Sequence, residues 1–211
     1  MSFKKNKYKV VRQAITKQLT DFIFHYFQNK RRVSKILFDS RYISPFTEYW
    51  GTWDDGQIPK TYSHYADGVF ETLLEGLHER VEKETGYKLY PSYSYARIYK
   101  KGDILKRHRD RDECEISGTI HIGGDTQWPI YLSEKSNQPG KKVILAPGDL
   151  LLYKACDLEH WREPFEGNTY CQGFIHYTDS TQPNALKLKY DGRVCPGLPA
   201  WFKDKKVKGF R

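Results

Sequence analysis

Two stretches of the chain repeat their apolar residues at helical spacing. In residues 16–29, Leu19, Phe22, Ile23, Tyr26 and Phe27 fall on one stripe and predict an amphipathic helix. In residues 67–85, Val69, Phe70, Leu73, Leu74, Leu77 and Val81 do the same, and Gly86 offers a stop. Residues 8–15 read as an opening strand. Beyond Gly86 the period changes to two. Residues 91–99 (PSYSYARIY), 115–122 (EISGTIHI), 128–132, 142–146, 150–153 and 169–177 read as short strands. Turn residues separate them: Lys101-Gly102-Asp103, Gly123-Gly124-Asp125, Pro139-Gly140, Pro147-Gly148-Asp149 and Glu166-Gly167-Asn168. Helices followed by many short strands predict an α+β fold, with the helices packed on a sandwich or jelly roll. Residues 33–65 read as irregular and aromatic, with Phe38, Tyr42, Phe46, Tyr49, Trp50, Trp53, Tyr62 and Tyr65. They form either a lid over a bound peptide or a cover over the sheet. Residues 180–211 show no clear pattern, and Trp201 and Phe202 are the candidates to dock them.

The chain has 211 residues, which makes one domain the default. Its formal charge of +9 is unevenly spread. Residues 1–32 carry +8, residues 187–211 carry +6, and the body between them carries −5. A uniformly basic nucleic-acid-binding body is thereby excluded. The basic ends are solvated surface in the simpler reading and polyanion contacts in the other. No apolar run approaches the roughly 18 residues of a membrane span. The basic start, MSFKKNKYKV, has no apolar stretch behind it, so no secretory signal is expected. Cys114, Cys156, Cys171 and Cys195 include no C-x-x-C pair, which argues against a structural zinc site and for reduced thiols in the cytoplasm.

Candidate chemistry centres on His108-Arg109-Asp110. In extended backbone, residues two apart point the same way, so imidazole and carboxylate can ligate one ion. Alone, the pattern also fits a loop histidine beside a solvated aspartate. The run Pro147–Tyr153 reads as a turn and a buried strand, and it delivers His160 a short way on. Two His and one Asp make the facial triad of non-haem Fe(II) oxygenases, which leaves open positions for a bidentate cosubstrate and O2. His-Arg-Asp also opens a kinase catalytic loop, but Glu115 stands where that loop needs Asn, and no Gly-rich phosphate loop precedes it.

With these residues in place, the stretch 91–177 resembles the Fe(II)/2-oxoglutarate-dependent dioxygenases, most closely the prolyl 4-hydroxylase-like branch. The resemblance rests on a strand ending in Tyr-x-x-Gly, then His-x-Asp, then Pro-Gly-Asp, a strand and His, then Pro and Gly before the last strand. It implies a double-stranded β-helix with N-terminal supporting helices: a helical region of about 8–88, a β-helix core of about 89–180 and a basic tail of about 181–211. It implies iron held by His108, Asp110 and His160, with Fe(II) and 2-oxoglutarate as cofactors and ascorbate as an accessory reductant. The implied reaction is C–H hydroxylation coupled to decarboxylation of 2-oxoglutarate to succinate. The implied substrate is a peptidyl residue such as proline, or a small molecule. Two rivals stand beside it. One is a metal-binding jelly-roll module without catalysis. The other is a nucleic-acid-modifying relative that uses the basic ends.

The sequence departs from that family at one place. The family holds the distal carboxylate of 2-oxoglutarate with Lys or Arg nine or ten residues after the distal His, and here those positions are Thr169 and Tyr170. A dicarboxylate needs charge-assisted partners in a semi-buried pocket. Arg162 is the best substitute, because in a strand it shares a face with His160; its alternative is a surface pair with Glu163 or Glu166. Arg97 is next, on the face of Tyr99, which matches a cosubstrate-contacting tyrosine of the family. His121 stands where the family often has another such tyrosine, and His176 is a further candidate for the pocket wall. Arg109 and Arg111 face either solvent or an acidic group on a substrate.

Overall fold

The computed structural model describes residues 2–44, 47–111 and 114–203. It contains α1 (Phe3–Asn6), β1 (Tyr8–Val11), α2 (Lys17–Asp39), β2 (Tyr62–Tyr65), α3 (Gly68–Gly76), α4 (His78–Thr85), β3 (Leu89–Tyr99), β4 (Leu105–His108), β5 (Ile116–Gly124), β6 (Ile130–Ser133), β7 (Lys141–Val143), β8 (Leu150–Lys154), β9 (Glu159–Arg162), β10 (Tyr170–Asp179) and α5 (Ala185–Leu188). The strands form two antiparallel sheets, ordered β1-β8-β5-β10-β3-β2 and β4-β9-β6-β7.

The larger sheet has two different faces, as the period of two requires. Ile116, Ile120 and Ile122 of β5, with Ala96 and Ile98 of β3 and Ile175 of β10, meet Ile23 and Phe27 of α2 and Phe70 and Leu74 of α3. That layer is the main core. The other face carries Ser117, Thr119 and His121 of β5, Arg97 and Tyr99 of β3, and Gln172 and His176 of β10, all buried. It is turned toward the smaller sheet, and part of the gap is filled by Ile130, Leu132, Val143, Leu151 and Tyr153.

Several elements differ from the sequence expectation. α2 runs ten residues past position 29, into the start of the segment read as irregular, because no Gly or Pro interrupts it. Its buried stripe is Thr20, Ile23, Phe27 and Ser34, whereas Leu19 and Phe22 face solvent. Thr20 takes the core face because its hydroxyl donates to Lys17 O at 2.7 Å and so satisfies itself. Residues 67–85 form two helices, with Leu77 at the break. The opening strand is four residues long, and β1 and β2 extend the two edges of the large sheet, so the N-terminal part is more than a helical support. β4 and β9 are strands that the sequence hid. Each is four residues long and mostly polar, LKRH and EHWR. Gly148 forms the turn into β8 at φ +89, where a Cβ would lie 2.5 Å from Ile15 O.

Two ion pairs with buried carboxylates fasten the periphery. The tail docks through Arg193, whose guanidinium donates to Glu71 Oε2 at 3.0 Å with both side chains buried. Glu71 also accepts from Ser94 N at 2.6 Å and Gly197 N at 3.0 Å. Trp201, expected to dock the tail, stacks on Phe202 and is exposed. Removing one member of such a pair strands the other charge, so Arg193→Leu is expected to lower stability by about 3–5 kcal/mol, read from thermal unfolding. Asp67 caps α3 by accepting from Val69 N at 3.0 Å and pairs with Lys30 at 2.5 Å. Burial alone would raise its pKa, but Lys30 and Tyr26 outweigh it and hold the group below 3.8. A depressed carboxyl stabilises the fold above its unfolded pKa, and that contribution disappears as pH falls through the folded value. Asp67→Asn should therefore be less stable than wild type at neutral pH, with the gap narrowing in acid denaturation below about pH 4.

Candidate active site

Antiparallel pairing of β4 with β9 sets His108 opposite His160. Asp110 follows β4, fixed by its N–H donating to Ala155 O at 3.1 Å. The two imidazoles approach one carboxylate oxygen: Nε2 of His108 lies 3.2 Å and Nε2 of His160 3.4 Å from Asp110 Oδ1. The three candidate ligand atoms lie within 4.8 Å of one another. Nδ1 of His108 faces Lys106 O at 2.7 Å and Nδ1 of His160 faces Leu158 O at 3.2 Å. A carbonyl accepts, so the ring proton sits on Nδ1 and the Nε2 lone pair points inward, which is the arrangement metal-binding histidines use. Ser117 donates its hydroxyl to Asp110 Oδ2 at 3.3 Å. Burial would push the Asp110 pKa up, but the imidazoles of His108 and His160 beside it outweigh burial and hold it well below the usual carboxylate range. Two nitrogens and an anionic oxygen thus converge from one side, a donor set that fits Fe(II).

The triad opens into a cavity of about 260 Å³. Arg162 lines it two residues beyond His160, roughly 6–7 Å further along the strand. It is 1% exposed. It donates to Trp128 O and, at 2.9 Å, to Gln172 Oε1. Among the described residues no carboxylate forms an ion pair with it. A buried charge without a counter-charge is unfavourable by several kcal/mol, so this wall of the cavity is built to receive an anion. Beside it the buried hydroxyl of Tyr170 and Nε2 of His121 have no partner. Their rings stack 4.2 Å apart, and Nδ1 of His121 faces Leu145 O at 2.9 Å. An unfilled cation next to two unsatisfied hydrogen-bonding atoms fits the far carboxylate of 2-oxoglutarate.

The remaining sequence candidates divide. Tyr99 is fully buried, its hydroxyl accepting from Arg97 at 3.0 Å. His176 lines the cavity, contacts Ser117 Oγ at 2.9 Å through Nδ1, and is pushed down to about 4 by burial, so it is neutral. Thr169 is not brought to the cavity. Its main chain is tied to Asp125 at the end of the sheet, while its neighbour Tyr170 turns inward. Arg109 reaches Glu134 O at 3.2 Å, and Arg111 lies 3.9 Å from Asp191.

Sequence reasoning missed Asp55, Gln57, Tyr93, Tyr95 and Cys114, which also line the cavity. The alternation in PSYSYARIY could have given Tyr93 and Tyr95, which share the face of Arg97 and Tyr99. Asp55 and Gln57 carry no such signal, because a loop places them. Within residues 33–65 it is the polar Asp55 and Gln57 that reach the cavity. The aromatic residues Trp53 and Tyr62 pack on the helix side with Phe27 and Phe38. Phe46 of the same segment lies outside the described residues.

No family model matches the sequence, and no curated protein sequence matches it. Solved structures do match the fold. A prolyl-4-hydroxylase of Pseudomonas putida is 13% identical with a TM-score of 0.58, covering 82% of this chain and 92% of its own. A prolyl hydroxylase of Trichoplax adhaerens, in complex with a hypoxia-inducible-factor peptide fragment, is 15% identical with a TM-score of 0.59, covering 85% and 90%. HygX of Streptomyces hygroscopicus, with nickel, 2-oxoglutarate and hygromycin B bound, is 14% identical with a TM-score of 0.60, covering 85% of each chain. This chain has the fold shared by these prolyl hydroxylases and by HygX, a fold known with nickel and 2-oxoglutarate in place.

Proposed function

We propose that the protein is a non-haem Fe(II)/2-oxoglutarate-dependent dioxygenase that hydroxylates a C–H bond, its two sheets forming a double-stranded β-helix around the metal cavity. The observation that carries this reading is Arg162, a buried guanidinium without a carboxylate, on the same strand face as His160. His108, Asp110 and His160 would hold Fe(II), and Arg162 with Tyr170 and His121 would hold the far carboxylate of 2-oxoglutarate. When bound, the metal and cosubstrate supply oxidation of a C–H bond by O2 with release of succinate and CO2. Ser117 and the carbonyls of Lys106 and Leu158 keep the ligand atoms aimed. Tyr153, Ile130, Leu105 and Phe174 keep water from the cavity wall.

The fold neighbours bind a peptide fragment in one case and a small molecule, hygromycin B, in another, and the substrate here is likewise a peptide or a small molecule. The thiols of Cys114, Cys171 and Cys195 accord with a cytoplasmic setting, and among the described residues no helix is long and apolar enough to cross a membrane. Nucleic acid is the less favoured partner. The cavity charge is built for carboxylates, and residues 204–211 of the basic tail lie outside the described residues.

The test is succinate formation from 2-oxoglutarate with Fe(II), O2 and ascorbate, without added substrate. Succinate above the iron-free control supports the reading. Tight metal binding with no succinate, across a panel of peptides and small molecules, would instead favour a metal-binding module without catalysis.

A further inference from the structure

Arg97 is a second buried guanidinium in the cavity, 3% exposed and facing the metal side of β3. Unlike Arg162 it has a carboxylate: Asp55, which also accepts from the Tyr95 hydroxyl at 2.6 Å. Three features set this pair apart from a structural ion pair. The base comes from β3, inside the large sheet between β10 and β2, but the acid comes from the loop before β2, where Asp54, Gly56 and Gln57 are exposed. Nε of Arg97 is buried without a partner, so Asp55 leaves part of the fork unused. Asp55 and Tyr95 also form the wall between the metal cavity and a neighbouring cavity of about 400 Å³, which Tyr49, Tyr65 and Pro199 help to line. The same loop sends Gln57 to within 3.1 Å of His108 Nε2, so its hold on the cavity competes with a metal for that lone pair.

We propose that Arg97 and Tyr95 anchor a carboxylate on the prime substrate, and that Asp55 is a placeholder which that carboxylate displaces. This assignment rests on the dioxygenase reading and deepens it. One carboxylate replaces another, so the charge of the cavity is unchanged, and the planar guanidinium accepts the newcomer bidentately. Moving Asp55 joins the two cavities. The smaller is tight for cosubstrate and substrate together, while the larger has the volume of an ordinary small-molecule site. The substrate class is therefore a small carboxylic acid, held at its carboxylate by Arg97 with its body in the larger cavity. Two guanidiniums serve two carboxylates, with 2-oxoglutarate taking the one that has no counter-ion.

The experiment measures thermal unfolding of the metal-free protein in acetate against chloride at equal ionic strength. Asp55→Ala should show a saturable upward shift beyond that of wild type, about 3–5 °C at tenfold the dissociation constant. Asp55→Ala combined with Arg97→Gln should return to the wild-type response, since any acetate at Arg162 is common to all three proteins. If Asp55→Ala does not fold, Asp55→Ser takes its place. No extra shift in the single variant, or the same shift in the double variant, overturns the anchor. A second arm compares small carboxylic acids with their methyl esters as stimulants of succinate formation. Stimulation by acids alone supports the assignment, and equal stimulation by esters overturns it. Acetate binding needs neither iron nor 2-oxoglutarate, so the anchor and the dioxygenase reading fail separately.

Discussion

Arg162→Met is expected to weaken 2-oxoglutarate binding by about 30-fold to several thousand-fold, while leaving metal binding intact. The range follows from the 2–5 kcal/mol that truncating one member of a buried charge pair removes. The variant has a second signature that separates binding from folding. In the cosubstrate-free protein Arg162 is a buried cation with no acid beside it. Removing it relieves an uncompensated charge, although Trp128 O and Gln172 Oε1 each lose a donor. These effects oppose one another, so the unfolding temperature should move little while the affinity for 2-oxoglutarate collapses. Arg162→Lys keeps the charge but loses the fork and should fall between the two. Calorimetric titration of 2-oxoglutarate into the nickel-loaded proteins, with unfolding scans of the same samples, measures both effects. A large fall in unfolding temperature with unchanged affinity would mean that Arg162 is only structural.

Asp110→Ala should cost the protein its metal. Asp110 supplies the one anionic ligand atom of the triad and stands within 3.4 Å of both Nε2 atoms. Loss of a ligand should lower affinity by more than about 100-fold, beyond the 10–100-fold that loss of an orienting partner brings. Ser117→Ala provides that milder comparison, because it removes only the hydroxyl that steadies Asp110 Oδ2. Competition titrations with nickel would rank wild type, Ser117→Ala and Asp110→Ala in that order. Equal affinity in wild type and Asp110→Ala would mean that the metal does not bind at this triad.

The order of helices and strands was legible because period is a local property. The change from 3.6 to 2 after Gly86 marks the passage from the helical layer into the sheets. His108 with Asp110, and His160 with Arg162, were legible as pairs because residues two apart in extended backbone point the same way. β4 and β9 were not, since LKRH and EHWR carry too few apolar residues for a pattern to emerge. Thr169 was drawn in by counting along the chain from His160. The structure instead ties its main chain to Asp125 and turns Tyr170 inward. Asp55 and Arg193 were invisible for a different reason. Each acts on a residue 42 or 122 positions away, and no local pattern encodes such a contact.

The most direct measurement is a crystal structure of the protein loaded without oxygen with Fe(II) and 2-oxoglutarate. The metal is expected at Nε2 of His108, Oδ1 of Asp110 and Nε2 of His160, and the far carboxylate of 2-oxoglutarate on Arg162, with Arg97 still paired to Asp55. A metal on Asp110, Cys114 and His176, the neighbouring cluster whose ligand atoms also lie within 4.8 Å of one another, would contradict this placement. So would a 2-oxoglutarate carboxylate seated on Arg97.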